Sequence, residues 1–351
     1  MDTNHIYFKV LPMQYPQITC YPFHANLLSV VGNYQESIPW FYNYYIQLEV
    51  KRNYENGVRL DFYTTLLWKC CPWIYFQRLS RDFILRKWDS IIDFIIDSID
   101  LGYYVYFIAN YFYIPISKNY NQYHKVHDIF IFGYDKNTQM FDVADFFRDG
   151  IYEYAKVPFS CINIAYNSLS ECSKQHDWLN GVELISFFKR SEYHNNKELD
   201  YRFDPALVKS FICDYITSSN TLEKYKIPTE KWKRNWVYGV EIYDFLIEYL
   251  EQLSSNKVPF DTRPFAVLND HKKLMMMRIK FMGENSFLYN WKDLYQDYSN
   301  VLNRASILKG LWIKYSISSD KKLLNRMILI INEIKKIEID VLTSLCNNIC
   351  E

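Results

Sequence analysis

Two stretches decide the fold of the first half of the chain: HDIFIFGYD at residues 127–135 and FDVAD at residues 141–145. Each is rich in aromatic and β-branched residues, a composition typical of β-strands. Asp135, Lys136 and Asn137 lie between the two stretches, and Asp and Asn tolerate the dihedral angles of tight turns. We therefore expect the two stretches to form an antiparallel hairpin that turns at Lys136 and Asn137.

This hairpin brings a histidine and a carboxylate together on neighbouring strands. Folding about the turn places His127 opposite roughly positions 145–147, so that its imidazole lies close to Asp145. Asp142 lies too far along the hairpin to reach the imidazole. Asp128 points to the opposite face, where we expect it to be solvated. A carboxylate beside an imidazole orients it as a general base, so His127 and Asp145 are candidate catalytic residues.

A general base implies a nucleophile, and Cys20 is the candidate. Pro22 suits the first turn of a helix, and Gly32 suits its end. The apolar residues of this segment recur at helical spacing: Phe23, Leu27, Val30, Val31 and Tyr34. Cys20 then lies at a helix N-terminus, where the helix dipole and free N–H groups favour a thiolate. A cysteine considered alone is more often a small buried apolar side chain, but the order Cys, His, Asp is typical of papain-like enzymes.

An acyl-transfer site also needs donors for the oxyanion. The backbone N–H of Cys20 is one donor, and a side-chain amide a few residues upstream is the usual second. Gln14 lies six residues before Cys20, the spacing that papain-like enzymes use, and Gln17 lies three residues before it. We expect Gln14 to complete the oxyanion hole, with Gln17 as the alternative.

The region before the hairpin extends the pattern. Residues 102–115 read GYYVYFIANYFYIP and residues 123–127 read YHKVH, so an aromatic-rich strand and turn are followed by a loop with a histidine. With these motifs the chain resembles the N-terminal domain of the butirosin biosynthesis protein H family over roughly residues 15–165. The resemblance implies a papain-like fold and an acyltransferase of secondary metabolism, which moves an acyl group from a carrier-protein thioester to an amine. The family often carries an acidic residue where Asn110 stands.

The sequence predicts an α+β protein of two domains. Residues 1–170 form a papain-like catalytic domain with an antiparallel sheet, residues 171–203 a connection, and residues 204–351 a mainly α-helical domain for substrate or partner. Within the first domain we expect one amphipathic helix over Phe83–Leu101 and a strand over Tyr103–Asn110.

The predicted helical domain has no obvious nucleophile–base pair. Its amphipathic segments are Val240–Leu253, Phe265–Met282, Leu288–Lys314 and Ser319–Leu345. His271 is isolated on one of them. We therefore expect this domain to form the acceptor site or to dock the carrier protein, and not to supply chemistry. The basic residues available to an acidic carrier are Lys51, Arg52, Arg78, Arg81, Arg86 and Lys87.

Composition narrows the class of protein. The 40 basic and 40 acidic residues give no net charge, which argues against broad nucleic-acid binding. The first residues lack a basic region followed by an apolar run, and no uncharged apolar stretch reaches membrane-spanning length. We therefore expect a cytoplasmic protein with reduced cysteines. The eight cysteines lack the paired spacing of zinc ligands, so neither a metal nor a cofactor is expected.

The expected reaction is a ping-pong acyl transfer. Cys20 takes the acyl group from an acyl carrier protein or another thioester donor, and a small amine or water resolves the acyl-enzyme. Two alternatives stay open. One is a cysteine peptidase or amidase that uses the same residues with water as acceptor. The other is a non-catalytic relative that binds a carrier or peptide in a retained cleft.

Overall fold

A computed structural model describes residues 7–54, 57–63, 67, 71–148, 150–188, 201–225 and 235–350. The strands are β1 (Phe8–Val10), β2 (Leu48–Lys51), β3 (Leu60–Phe62), β4 (Ile74–Ser80), β5 (Tyr104–Asn110), β6 (Val126–Asp135), β7 (Met140–Arg148), β8 (Ile151–Pro158), β9 (Gly181–Phe187) and β10 (Trp236–Tyr238). The α-helices are α1 (Pro22–Val31), α2 (Ile38–Asn43), α3 (Arg81–Lys87), α4 (Ile91–Asp100), α5 (Phe159–Asn167), α6 (Ser170–Gln175), α7 (Asp177–Asn180), α8 (Pro205–Ile216), α9 (Ile242–Ser254), α10 (Pro264–Glu284), α11 (Trp291–Ser318) and α12 (Lys321–Asn348). The predicted α+β class, with antiparallel sheets and a helical C-terminal region, is confirmed.

The chain folds into two compact units whose boundaries differ from the predicted domains. The first unit contains residues 1–37 and 71–200, and the second contains residues 38–70 and 201–351. Residues 38–70 were predicted to belong to the catalytic domain. They belong to the second unit because β2 pairs with β10, with Lys51 opposite Trp236.

The core of the first unit is a seven-stranded antiparallel sheet. Six strands follow the order β4-β9-β5-β6-β7-β8, and β1 pairs with the second half of β6. The predicted connection over residues 171–203 is therefore wrong in part, because β9 lies inside the sheet between β4 and β5. Residues 189–200 of that predicted connection lie outside the described residues.

The predicted hairpin is present as β6 and β7. Asp135 pairs with Met140, and Phe130 pairs with Ala144. The Asp135 carboxylate accepts a hydrogen bond from the Asn137 N–H at 2.8 Å, which is the turn chemistry expected of Asp and Asn. A β-bulge after Ile131 shifts the register by one residue, so the extra residue increases the local twist of the hairpin.

The single helix predicted over Phe83–Leu101 is wrong, because the segment forms two helices, α3 and α4. Serine side chains mark both starts: Ser80 Oγ accepts from the Phe83 N–H, and Ser90 Oγ accepts from the Asp93 N–H, each at 3.2 Å. A serine N-cap satisfies N–H groups of the first turn and favours a new helix start there. The apolar periodicity continues across the break and did not reveal it.

Helices cover both faces of the first unit's sheet. On one face lies α1, where Asn26 accepts a hydrogen bond from the Tyr152 hydroxyl of β8 at 2.7 Å. On the other face lie α4 and α5. The ring of Tyr166 on α5 meets the ring of Phe107 on β5 edge-on at 5.3 Å, and Asp100 at the end of α4 accepts a hydrogen bond from the Tyr134 hydroxyl of β6.

The second unit combines a three-stranded antiparallel sheet, β10-β2-β3, with long helices. The four helices predicted from residue 240 onward are confirmed as α9 to α12, and their ends differ from the predicted ends by a few residues. Such differences are usual for helix termini, where the apolar periodicity fades before the last turn.

A polar cluster, which we call the Lys272 cluster, is buried among these helices. Lys272 Nζ lies 2.7 and 2.8 Å from the two carboxylate oxygens of Glu338. Three tyrosine hydroxyls also contact this carboxylate: Tyr215, Tyr243 and Tyr298. Burial lowers the pKa of Lys272, and the Glu338 charge opposes this effect.

His271 adjoins the Lys272 cluster, so the prediction that it is isolated is wrong. Its Nδ1 lies 3.0 Å from Lys272 Nζ, and its Nε2 lies 2.7 Å from the carbonyl oxygen of Ile46. Burial and the charge of Lys272 hold the pKa of His271 well below its ordinary value. The neutral imidazole therefore accepts from the ammonium group at Nδ1 and donates from Nε2 to the carbonyl.

Candidate active site

His127 and Asp145 form the contact that the hairpin predicts. His127 Nδ1 lies 2.7 Å from Asp145 Oδ2. The Asp145 side chain is 1% exposed and the His127 side chain is 24% exposed. Because Nδ1–H donates to the carboxylate, Nε2 of the neutral imidazole carries the lone pair. This is the tautomer that a general base requires.

The electrostatics of the site favour a charged imidazole. Burial lowers the pKa of His127, but the charge and hydrogen bond of Asp145, together with the charge of Asp128, outweigh burial. The net result is a pKa above the ordinary value for histidine. An imidazole in this environment holds a proton more readily than a free histidine does.

Tyr111 is part of the site and was not predicted. Its hydroxyl contacts Asp145 Oδ2 and lies 2.6 Å from the carbonyl oxygen of Asp128, while its ring lies 5.1 Å from the His127 ring. Burial and the charge of Asp145 raise the pKa of Tyr111 well above 10, so the hydroxyl stays protonated and donates. The aromatic-rich turn after β5 was the available signal, but its spacing did not show which ring reaches the carboxylate.

Asp128 is half-buried and hydrogen-bonded, so the expectation that it is simply solvated is wrong. It does lie on the face opposite His127, where the hydroxyl of Tyr106 contacts its Oδ1. Burial, and then the charge of Asp145, raise the pKa of Asp128. The diagonal neighbour on β5 covers the carboxylate, since Ile108 pairs with Asp128 and Tyr106 lies two residues away on the same face.

Asp142 does not contact His127, as predicted. It pairs with Gly133, and its Oδ1 lies 2.7 Å from Nζ of Lys156 on β8. This ion pair occupies the far part of the hairpin, and it leaves Asp145 as the carboxylate that holds the imidazole.

Cys20 lies at a helix start, as the sequence predicts. The N-cap of α1 is Tyr21 and the first helical residue is Pro22. The thiol is half-buried and is not part of a disulfide. Its position therefore exposes it to the positive end of the helix dipole.

The first residues of α1 lie toward the end of the sheet at which β6 begins, and His127 lies at that end. The Ser29 hydroxyl lies 3.4 Å from the hydroxyl of Tyr154, and Asn26, nearly one turn earlier, contacts Tyr152. The start of α1 and the start of β8 therefore point the same way. Because β6, β7 and β8 are successively antiparallel, β6 and β8 begin at the same end of the sheet. Cys20 and His127 thus lie at the same end of the sheet's strands.

At that end, strand register places the His127 imidazole and helix α1, which follows Cys20, on opposite faces of the sheet. His127 pairs with Ala109, which lies two residues after Phe107 on the face covered by α5. Helix α1 packs on the other face. Since β6 begins at Val126, the imidazole and the start of α1 can approach each other only past the end of this strand.

The structure contradicts the role predicted for Gln14. Its backbone N–H donates to the carbonyl of Ser29, and a Cβ built on Gly32 would lie 3.2 Å from its side-chain oxygen. Gly32 follows the last turn of α1, about 15 Å from the first turn at 1.5 Å per residue. Gln14 therefore lies at the wrong end of α1 to stabilise an oxyanion at Cys20. The alternative, Gln17, is exposed.

A second histidine lies close along the chain. Asn110 Oδ1 accepts from the Phe112 N–H, so its Nδ2 donates to His124 Nδ1 at 2.9 Å and to the Ser168 hydroxyl at 3.2 Å. His124 thereby keeps its proton on Nε2. It differs from His127, whose Nε2 carries the lone pair.

The basic residues proposed for carrier docking differ in their exposure. Arg81 is buried and donates to the carbonyls of Leu179 and Tyr166, so it cannot contact a partner. Arg86 and Lys87, at the end of α3, are exposed. Arg78 donates to Asp177 and Arg52 to Glu241, each in an exposed pair.

No protein-family model matches the chain, and no curated protein matches it. Within the described ranges, no group of three or more His, Cys, Asp and Glu side chains could hold a metal ion. Among the same residues, every helix is too short or too polar to cross a bilayer.

Proposed function

We propose that this chain is a cysteine-dependent acyltransferase whose first unit is papain-like. It transfers an acyl group from a thioester, carried by an acyl carrier protein or a small thiol, to an amine acceptor. The observation that carries the proposal is the hydrogen bond between His127 and the buried carboxylate of Asp145. It fixes the tautomer and orientation of a general base at the end of the sheet where α1 also starts.

The first half-reaction acylates Cys20. His127 Nε2 removes the thiol proton, and the sulfur attacks the thioester carbonyl to form a new S–C bond. The backbone N–H of Cys20 stabilises the oxyanion. When the intermediate collapses, the S–C bond of the donor breaks, and the leaving thiolate takes the proton from His127.

The second half-reaction returns the enzyme to its starting state. The amine attacks the carbonyl of the acyl-enzyme and passes its proton to Nε2 of His127. The bond between the acyl carbon and Cys20 then breaks, and the sulfur recovers the proton. Asp145 and Tyr111 keep the imidazole oriented in both steps.

The reaction requires close approach of the Cys20 sulfur and His127 Nε2 past the end of β6. A short bifunctional alkylating agent, 1,3-dibromoacetone, tests this directly because it joins a thiol and an imidazole only when they are nearly in contact. We expect peptide mapping to find Cys20 joined to His127. A product alkylated at Cys20 with His127 and His124 both unmodified would contradict the proposed site. A link from Cys20 to His124 would assign the role of base to His124.

Acylation itself is measured by mass spectrometry after incubation with acyl thioesters of N-acetylcysteamine. We expect a single acyl adduct on Cys20, absent in Cys20→Ser and retained in Cys161→Ser. Amide product with added amines supports the transferase, whereas release of the free acid alone indicates a hydrolase. Binding of the thioester without an adduct indicates a non-catalytic binding protein.

A further inference from the structure

Two cysteines of the second unit lie in contact and far apart in sequence. Cys213 on α8 and Cys346 on α12 have sulfur atoms 4.0 Å apart. Cys213 is exposed, whereas Cys346 is 7% exposed. The helices that carry them are also joined by the Tyr215 hydroxyl of α8, which donates to Glu338 of α12 at 3.0 Å.

We propose that Cys213 and Cys346 are a redox-active dithiol that reacts with low-molecular-weight disulfides and closes to an intramolecular disulfide. The proposal is independent of the acyltransferase function, because it concerns different residues in the other unit. It assigns the substrate of this site by chemical class: a small soluble disulfide such as oxidised glutathione.

The exposure of the two sulfurs sets the order of reaction. Only Cys213 is accessible to an incoming disulfide. Burial, and then Cys213, raise the pKa of the Cys346 thiol to about 12, while the positive charge of Lys209 on α8 opposes this. Cys346 is therefore a poor first nucleophile, and Cys213 reacts first.

The reaction balances in two exchanges. The Cys213 thiolate attacks one sulfur of oxidised glutathione, and the S–S bond of glutathione breaks to release one glutathione thiolate. Cys346 then loses its proton to solvent base and attacks the Cys213 sulfur, which releases the second glutathione thiolate. The two protein thiols are oxidised by two electrons, and one glutathione disulfide is reduced to two thiols.

The two sulfurs start close to bonding distance. A disulfide needs its sulfurs about 2.05 Å apart, and these sulfurs are 4.0 Å apart, so the gap to close is about 2 Å. The helices already pack against each other at this level of the unit. Closure links residues 133 positions apart in sequence, and a long closed loop strongly restricts the unfolded chain.

The test uses the full-length protein with and without excess oxidised glutathione. We expect the intact mass to fall by about 2 Da, two thiols to disappear from a denatured count, and one new peptide pair containing residues 213 and 346. The midpoint of thermal unfolding should rise by about 5 °C and return after reduction. Cys172→Ser, which removes an exposed cysteine of the first unit, should behave like the wild type.

Two results would overturn the proposal. One is a stable glutathione adduct at Cys213 that never resolves, which would mean that Cys346 cannot reach it. The other is loss of two thiols with mapping to a different pair. Cys213→Ser and Cys346→Ser should not lose this mass of about 2 Da with oxidised glutathione. Should either variant fail to fold, mild alkylation of Cys213 in the folded wild type replaces it. It must abolish the loss of mass.

Discussion

Tyr111 and His127 meet on a single atom, the Oδ2 oxygen of the buried Asp145. The carboxylate therefore divides its negative charge between a phenol, which stays neutral, and an imidazole, which can become charged. Tyr111 therefore shares with His127 the carboxylate whose charge raises the pKa of the imidazole.

Removing the Tyr111 hydroxyl should strengthen the remaining bond. In Tyr111→Phe we expect the pKa of His127 to rise further, because Asp145 then has one donor fewer. Loss of one buried hydrogen bond should cost about 1 kcal/mol of unfolding free energy. NMR titration of the His127 ring measures the pKa directly. Tyr106→Phe, which removes a hydroxyl from Asp128 on the other face, is the matched control and should shift the His127 pKa less.

Neutralising Asp145 should have the opposite effect on the imidazole. In Asp145→Asn, burial acts without the opposing charge, so the pKa of His127 should fall and acylation of Cys20 should slow by about 100-fold or more. Asp142→Asn, on the same strand, should leave the rate within about twofold because that carboxylate pairs with Lys156. Equal losses in both variants would show that Asp145 has no special role.

The same pair makes stability depend on pH. The folded-state pKa of His127 lies above the unfolded value, so its contribution is complete below an unfolded pKa of about 6.5 and is lost as pH rises through the folded pKa. Urea unfolding of wild type and His127→Gln across this window should give curves that separate at low pH and converge at high pH. Curves that remain parallel would contradict this linkage.

Cys20 should react faster than the other thiols. Its place at the start of α1 favours the thiolate, so iodoacetamide should modify it faster than the exposed Cys172, with an inflection at lower pH. Peptide mapping at short times distinguishes the sites. Slower modification of Cys20 than of Cys172 at every pH would remove the case for a nucleophile at this position.

The Lys272 cluster should contribute stability and not chemistry. Lys272→Met leaves the Glu338 carboxylate buried without its cation, and we expect a loss of about 3–5 kcal/mol in urea unfolding. The matched control is Lys335→Met on the same helix as Glu338. Its ion pair with Asp244 is exposed, and it should contribute less than about 1 kcal/mol. The double variant Lys272→Met and Glu338→Leu should recover much of the loss.

His271 offers the complementary test of where chemistry takes place. His271→Ala removes contacts to Lys272 and to the Ile46 carbonyl, so the second unit should become less stable. In the protein that remains folded, acylation of Cys20 by a small activated thioester should be nearly unchanged. Abolished acylation with an intact fold would place part of the reaction in the second unit.

The features that the sequence predicted well depend on neighbours along the chain. The hairpin of β6 and β7 and its turn after Asp135 follow from a period of two residues and a short loop, and the β-bulge after Ile131 sets the final register of His127 against Asp145. The four long C-terminal helices follow from apolar periodicity sustained over many turns. In each case the pattern and the structure are both local.

The errors arose where distant segments decide the outcome. Gln14 satisfies a sequence spacing, but its contact with the end of α1 takes it away from Cys20. Asp128 was expected in solvent because the reach of Tyr106 across β5 is invisible in the order of residues. Strand β9 follows a polar stretch, so only its partners β4 and β5 identify it as part of the sheet.

Residues 38–70 belong to the second unit but lie between the two segments of the first unit in the sequence, and this has a consequence for synthesis of the chain. On the ribosome, β2 emerges long before β10, its partner, which begins at Trp236. During that interval β2 lacks one of its two partners, and the sheet of the first unit stays incomplete until β9, Gly181–Phe187, appears. A fragment cut at residue 170 would therefore lack the inner strand β9 and would retain β2 without one of its two partners.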